Sequence, residues 1–288
     1  MRRTAAVAVL LLALAAPAAA DDFDAAMASG AAAWARRAQG HRGSRAQPAA
    51  IEQAVAAYER AVAARPGDVA ARSRLLQALH FRGEHAAPDL DARRRAFERG
   101  REVAEAGLDR LAVPSGGRAR LDKMTPAAAA RALAGTPGAA DLHLWAAVHW
   151  GLWGDAFGRL AAARQGVGDK VRRYSETVVA LDERHEAGGG HRVLGRLHAL
   201  APKVPLVTGW VDREKAVAHL RRAVALGPEE PYNQLFLAEA LLEHQPAKKA
   251  EAVAILRRLV QAPPPADRVV EVEKVREDAR ALLQQHGG

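Results

Sequence analysis

The chain has 288 residues, 49% of them hydrophobic but only 5% aromatic, with no cysteine and a formal charge of +9. That length can bury a sizeable core in one or two domains, and the missing thiols exclude disulfides, a cysteine nucleophile and a lipid-modified N-terminal cysteine. Much of the apolar content is alanine, the best helix former; the nearest thing to a strand, Val204 to Val211, is interrupted by Pro205 and Gly209.

Residues 1–20 read MRRTAAVAVLLLALAAPAAA. Two arginines, an apolar run from Ala5 to Ala16 and small residues at Ala18 and Ala20 predict a secretory signal peptide, its apolar run too short for a membrane span. The mature chain, residues 21–288, is then expected to be a soluble periplasmic protein. Asp24 is expected to cap a first helix reaching about Arg37 and carrying Trp34. Gln39 to Pro48 is polar and rich in breakers, and reads as a loop.

Ala49 to Ala64 and Asp68 to Phe81 are expected to form a helical hairpin around Pro66-Gly67. Within it Ala54, Tyr58, Ala61 and Pro66 stand at offsets 0, +4, +7 and +12. That is the second-helix signature of a tetratricopeptide repeat, in which small residues let helices approach, a large residue fills the gap and proline ends the helix. A long helix follows from Asp91 to Leu111, with Phe97, Val103, Ala104 and Leu108 on its apolar side. Val113 to Gly138 reads as an inter-repeat insertion, with a short helix from Pro126 to Ala134 that Thr125 caps.

Ala139 to Gly151 and then Leu152 to Gln165 carry Trp145, Trp150 and Trp153. Trp150 and Trp153 share a helical face by their spacing, as do Trp145 and His149. Either these side chains fill the core between repeats, or one face opens on a ligand cavity, with Gly151 and Gly154 allowing close backbone approach. Val171 to Glu183 reads as a degraded repeat copy. Gly188 to Gly190 precede a helix expected near His191, and have two readings. Free amides there, helped by His191, Arg192 and Arg196, suit an anion or a partner; alternatively the glycines form a tight turn and Arg192 pairs with Glu186 or Asp182.

Ala216, Leu220, Ala223 and Pro228 repeat the signature in full, and the next helix places Leu235, Ala238 and Leu242 on one face. Ala252, Leu256, Leu259 and Pro264 fit with one substitution. Asp267 to Gln285 reads as a charged amphipathic helix capping the array. The recurrence predicts one all-α domain, an irregular tetratricopeptide-like helical repeat array, or α-solenoid.

The chemistry is sparse. His185 and His191 are six positions apart across three glycines, which is not the i, i+4 spacing of a zinc pair, so no metal site is expected. There is no GxSxG, no phosphate-binding glycine loop and no cofactor motif, and an enzyme is not expected. The arginines alternate with acids, as in Arg99, Arg101, Glu98 and Glu102, which fits a solvated helix face and not a nucleic-acid surface.

RRRAFERGREVAEAGL (93–108), LHLWAAVHWGLWGDAFG (142–158), HEAGGGHRVLGRLHALAPKVPLVTG (185–209) and NQLFLAEALLEH (233–244) together resemble the T-component proteins of TRAP transporters. Gly190 stands where that family's pattern has proline, and His149 where asparagine is common. The resemblance implies helical repeats curled around a central cavity or pore, and a homo-oligomer. It also implies a non-catalytic accessory role beside the periplasmic solute-binding protein of a tripartite ATP-independent uptake system, handling an apolar or carboxylate ligand. Trp145, His149, Trp150 and Trp153 are then the cavity candidates, and His191, Arg192 and Arg196 the anion or partner contacts. The alternative is a generic periplasmic scaffold for envelope protein assembly.

Overall fold

The computed structural model describes residues 15–205 and 208–287. Through them run fourteen α-helices, with no strand beyond the isolated bridge between Arg42 and Arg45. The expected leader lies mostly outside the described residues. No helix among the described residues is long and apolar enough to cross a membrane.

The first helix, α1, spans Ala15–Ala35, so Asp24 lies inside it and does not cap it. Alanine-rich chain on both sides of Asp24 carries the helix through, because alanine loses no side-chain entropy there. The hairpin of α2 (Pro48–Ala64) and α3 (Val69–Phe81) matches expectation, with Asp68 accepting from the amide of Ala71. Ala54, Ala61 and Tyr58 are buried, as the repeat pattern requires. A π-helical turn at Arg82–Ala86, which the sequence did not announce, leads through Asp89, the cap, into α4 (Leu90–Ala112). The insertion holds two short helices, α5 (Arg118–Asp122) and α6 (Pro126–Ala132), the second capped by Thr125.

Next, α7 is continuous from Ala139 to Phe157, where two segments were expected. Gly151 and Gly154 cost helix propensity, about 1 kcal/mol each, but Trp150 and Trp153 bury on either side of Gly151 and hold the helix together. Gly158, at φ +90°, ends it, and α8 (Arg159–Arg164) and α9 (Val167–Leu181) follow. The second half comprises α10 (His185–Leu200), α11 (Arg213–Leu226), α12 (Pro231–His244), α13 (Lys249–Gln261) and α14 (Val269–His286). Ala216, Leu220, Ala223, Leu235 and Ala238 are all buried there.

Most chain neighbours pack pairwise, but α4 passes over the insertion to pack on α7, α7 passes over α8 to pack on α9, and α6 of the insertion also packs on α9. Two large hydrophobic cores result, beside a small cluster of Phe23, Ala26, Ala61 and Ala71. One runs from α1 to α9; the other is built from α10 to α14. The last helix does more than cap an end, because it joins both: Val270 belongs to the first core, Val275 and Ala279 to the second. Its polar side also meets the segment after α1. Arg37 donates to Glu271 at 2.8 Å and to the carbonyl of Asp267, and Ser44 donates through its amide and hydroxyl to Glu277 at 3.0 and 2.5 Å.

Candidate functional site

The four cavity candidates on α7 separate into two pairs. Trp150 and Trp153 are 2% and 6% exposed and face α4. The Trp150 indole donates to Glu105 at 2.5 Å, and that of Trp153 to Glu98. Arg101 lies over both rings and Lys170, from α9, over Trp150 at 3.7 Å. Gly154 admits Val167 and Ala162 close to the backbone, whereas Gly151 faces open space. These two indoles are thus packed under carboxylates and cations at the junction of α4, α7 and α9.

Trp145 and His149 point elsewhere. His149 is fully buried, donates through Nε2 to the carbonyl of Leu76 at 3.0 Å, and leaves Nδ1 without a partner. Trp145 is half-buried, meets His80 edge-on at 5.6 Å between ring centres, and its enclosed Nε1 has no partner. Unlike the other pair, Trp145 and His80 retain some solvent contact.

The three α10 candidates also divide. The segment around the glycines is a turn: Glu186, Ala187 and Gly188 take left-handed φ of 49°, 55° and 79°. Gly188 packs against the backbone of Ala223, where a Cβ would stand 3.1 Å from Cα, so this turn is set by close helix approach. His191 turns toward α11, with Nδ1 2.8 Å from Nδ1 of His219 and Nε2 3.0 Å from Glu183. Arg222 holds the same Glu183 through two bonds, and that arginine first, then His191, keep its carboxyl well below the usual range.

Arg192 and Arg196 are one turn apart on the face toward α12. Arg192 donates to Oδ1 of Asn233 at 3.0 Å and to the carbonyl of Glu186 at 3.3 Å, not to the carboxylates of Glu186 or Asp182. Those carboxylates are displaced because the left-handed turn aims the Glu186 carbonyl, and not its side chain, at the guanidinium. Arg196 pairs with Glu239 and stacks over Phe236 at 4.4 Å. Burial pushes the Glu239 carboxyl up against the opposing pull of Arg196.

Sequence reading missed Glu230, Tyr232, Glu239 and His80, which complete a half-buried polar strip around the two arginines. Burial raises the Tyr232 phenol, and Glu84 from the π turn and Glu271 from α14 raise it further. Burial likewise pulls His80 down to about 3, with His85 and Arg192 adding to the fall. Groups from α3 and the π turn therefore act electrostatically on groups from α10 and α12. No periodicity announces such a strip, since its members come from α3, α10 and α12; half-buried charges on apolar helices were the available signal.

Burial also lowers His149 to about 3 and His143 to about 4. With an unfolded value near 6.5, each takes up a proton on unfolding below that pH but stays neutral while folded. The stability they permit is full above pH 6.5 and is lost as pH falls toward 3–4. His185, raised chiefly by its contact with Asp141, acts in the opposite sense and favours folding below its unfolded value. We expect His143 and His149 together to remove about 3 kcal/mol between pH 7 and pH 5. Calorimetry across that range checks this, and a level Tm would contradict neutral burial of these rings.

Neither a protein-family model nor a curated protein matches the chain.

Proposed function

We propose that the chain is a non-catalytic, exported accessory protein of a TRAP-type solute uptake system, which docks a periplasmic solute-binding protein. In this reading the helical hairpins form a tetratricopeptide-like array curled around a central cavity. The half-buried strip of Arg192, Arg196, Tyr232, Phe236 and Glu239 lines that cavity and meets a small carboxylate or apolar ligand or the partner's acidic surface. The copies assemble into a homo-oligomer.

The observation that carries the reading is the strip itself. Its cations are neither solvated on an outer helix face nor sealed in apolar core, and they stand beside aromatic rings that suit a mixed apolar and anionic ligand. The contacts of α14 with the segment after α1 support a closed arrangement. The resemblance of residues 142–158 and 185–209 to T-component proteins supplies the transport context.

The test is a pull-down from periplasmic extract with residues 21–288 as bait and mass spectrometry of what is retained. We expect a solute-binding protein to be recovered with the wild type and lost with Arg196→Ala, whose circular dichroism and Tm are checked first. Recovery of envelope-assembly proteins alone would overturn the proposal in favour of a scaffold.

A further inference from the structure

We propose that Asp141, His185 and Glu186 form a binding site for one divalent transition-metal ion of the zinc class, where the first turn of α7 meets the start of α10. The inference does not depend on the transporter reading. The donors lie far apart in sequence on one side: Asp141 comes from α7, 44 positions before His185.

The geometry suits an ion. One ligand atom from each residue lies within 4.8 Å of the other two, and among the described residues no other trio of His, Asp or Glu side chains converges so closely. His185 Nε2 stands 3.2 Å from Oδ1 of Asp141. A tetrahedral ion with metal–ligand bonds of about 2.0–2.1 Å spaces neighbouring donors by roughly 3.3 Å. Nε2 is enclosed and faces Oδ1 of Asp141 at ion-pair distance, with no other group bonded to it. Either a proton on the imidazole or a cation between the two can balance the Asp141 carboxylate, and Glu186 brings a second negative donor that one proton leaves unmatched.

The backbone adds an independent argument. In a right-handed helix the side chains of His185 and Glu186 would diverge by about 100°. Here Glu186 and Ala187 take φ of 49° and 55°, a conformation that L side chains adopt rarely and at a cost. The reversal brings the Glu186 carboxylate round to the imidazole that precedes it. One imidazole and two carboxylates are the donor set of a borderline ion, Zn²⁺ before Mg²⁺ or Ca²⁺. Glu186 is exposed and Asp141 partly so, which leaves the remaining coordination positions open to water. A plain His185–Asp141 ion pair would account for that contact but not for the third donor, Glu186, brought beside it by left-handed backbone.

The test is isothermal titration of the EDTA-treated full chain with Zn²⁺, with Mg²⁺ as comparison. We expect one Zn²⁺ per chain, bound at least tenfold more weakly by His185→Ala and by Asp141→Asn, and as in the wild type by His41→Ala, which alters an exposed imidazole elsewhere. Glu186→Gly separates ligation from folding: glycine accepts the left-handed φ, so the metal-free variant melts no lower than the wild type while its Zn²⁺ affinity falls. No stoichiometric Zn²⁺ binding, or Glu186→Gly binding Zn²⁺ as the wild type does, would overturn the site.

Discussion

Replacing Arg37 by alanine should lower stability by about 3 kcal/mol, and Tm by roughly 10 °C, although the residue sits in a turn outside any helix. Its side chain is 8% exposed and that of Glu271 14%. The guanidinium donates to Glu271 through Nη2 at 2.8 Å and Nε at 3.1 Å, accepts the Trp34 ring at 4.2 Å beneath it, and ties down the carbonyl of Asp267. Glu271 Oε2 already lacks a partner, so the variant leaves a largely enclosed carboxylate without its paired cation. Lysine should not rescue it, because a single ammonium cannot bridge these acceptors and stack on the indole as well. Hydrogen exchange gives the sharper readout. The amides of α14 should lose protection ahead of those of α11 to α13, since the helix is released from the first half of the chain while keeping its neighbour α13. Uniform loss of protection, or a Tm within a degree of the wild type, would show that α14 does not couple the two halves through this pair.

Asn233→Ala is expected to cost a similar amount, about 3 kcal/mol, for a different reason. Asn233 is fully buried at the start of α12. Its amide group donates among the carbonyls of Ala187, Ala223 and Gly227, at 2.9, 2.9 and 3.0 Å, and its Oδ1 accepts from Arg192. One side chain thereby ties the left-handed turn at the start of α10 to the end of α11, adding to the amides of Gly227 and Glu230 that Ala223 and Gly227 already accept. Aspartate should fare no better than alanine: it has no donor and would place a carboxylate among carbonyl oxygens. Thermal unfolding of both variants checks the magnitude. Because Arg192 loses its acceptor, we also expect Arg192→Ala and Asn233→Ala to be less than additive in the double variant.

The helices were largely legible. The Thr125 cap announces a start through a local hydrogen bond to the amide of Ala128, and the spacing of Ala216, Leu220 and Ala223 announces a packed face through the helical period. Local rules failed where packing overruled them. Gly151 should have weakened α7, yet flanking indole burial carries the helix through it. Asp24 is an acceptable cap, yet alanine-rich chain before it is helical too.

The candidate site was legible only as a set of residue types. Trp145, His149, Trp150 and Trp153 follow one another within nine positions, but a helix turns about 100° per residue, so they reach two different junctions. Arg192 and Arg196, one turn apart, do share a face, and their partners Asn233 and Glu239 lie on α12, over forty residues away.

By itself, then, the sequence determined the helical class, helical hairpins such as α2–α3 and the small residues at which they pack, because propensity, capping and periodicity act over a few residues. Tertiary structure alone decided which charges are buried together: Arg37 with Glu271, Arg196 with Glu239, and His185 with Asp141. Desolvation and pairing depend on what lies across a junction, and chain separations of 234, 43 and 44 residues leave no local pattern from which such a neighbour can be read.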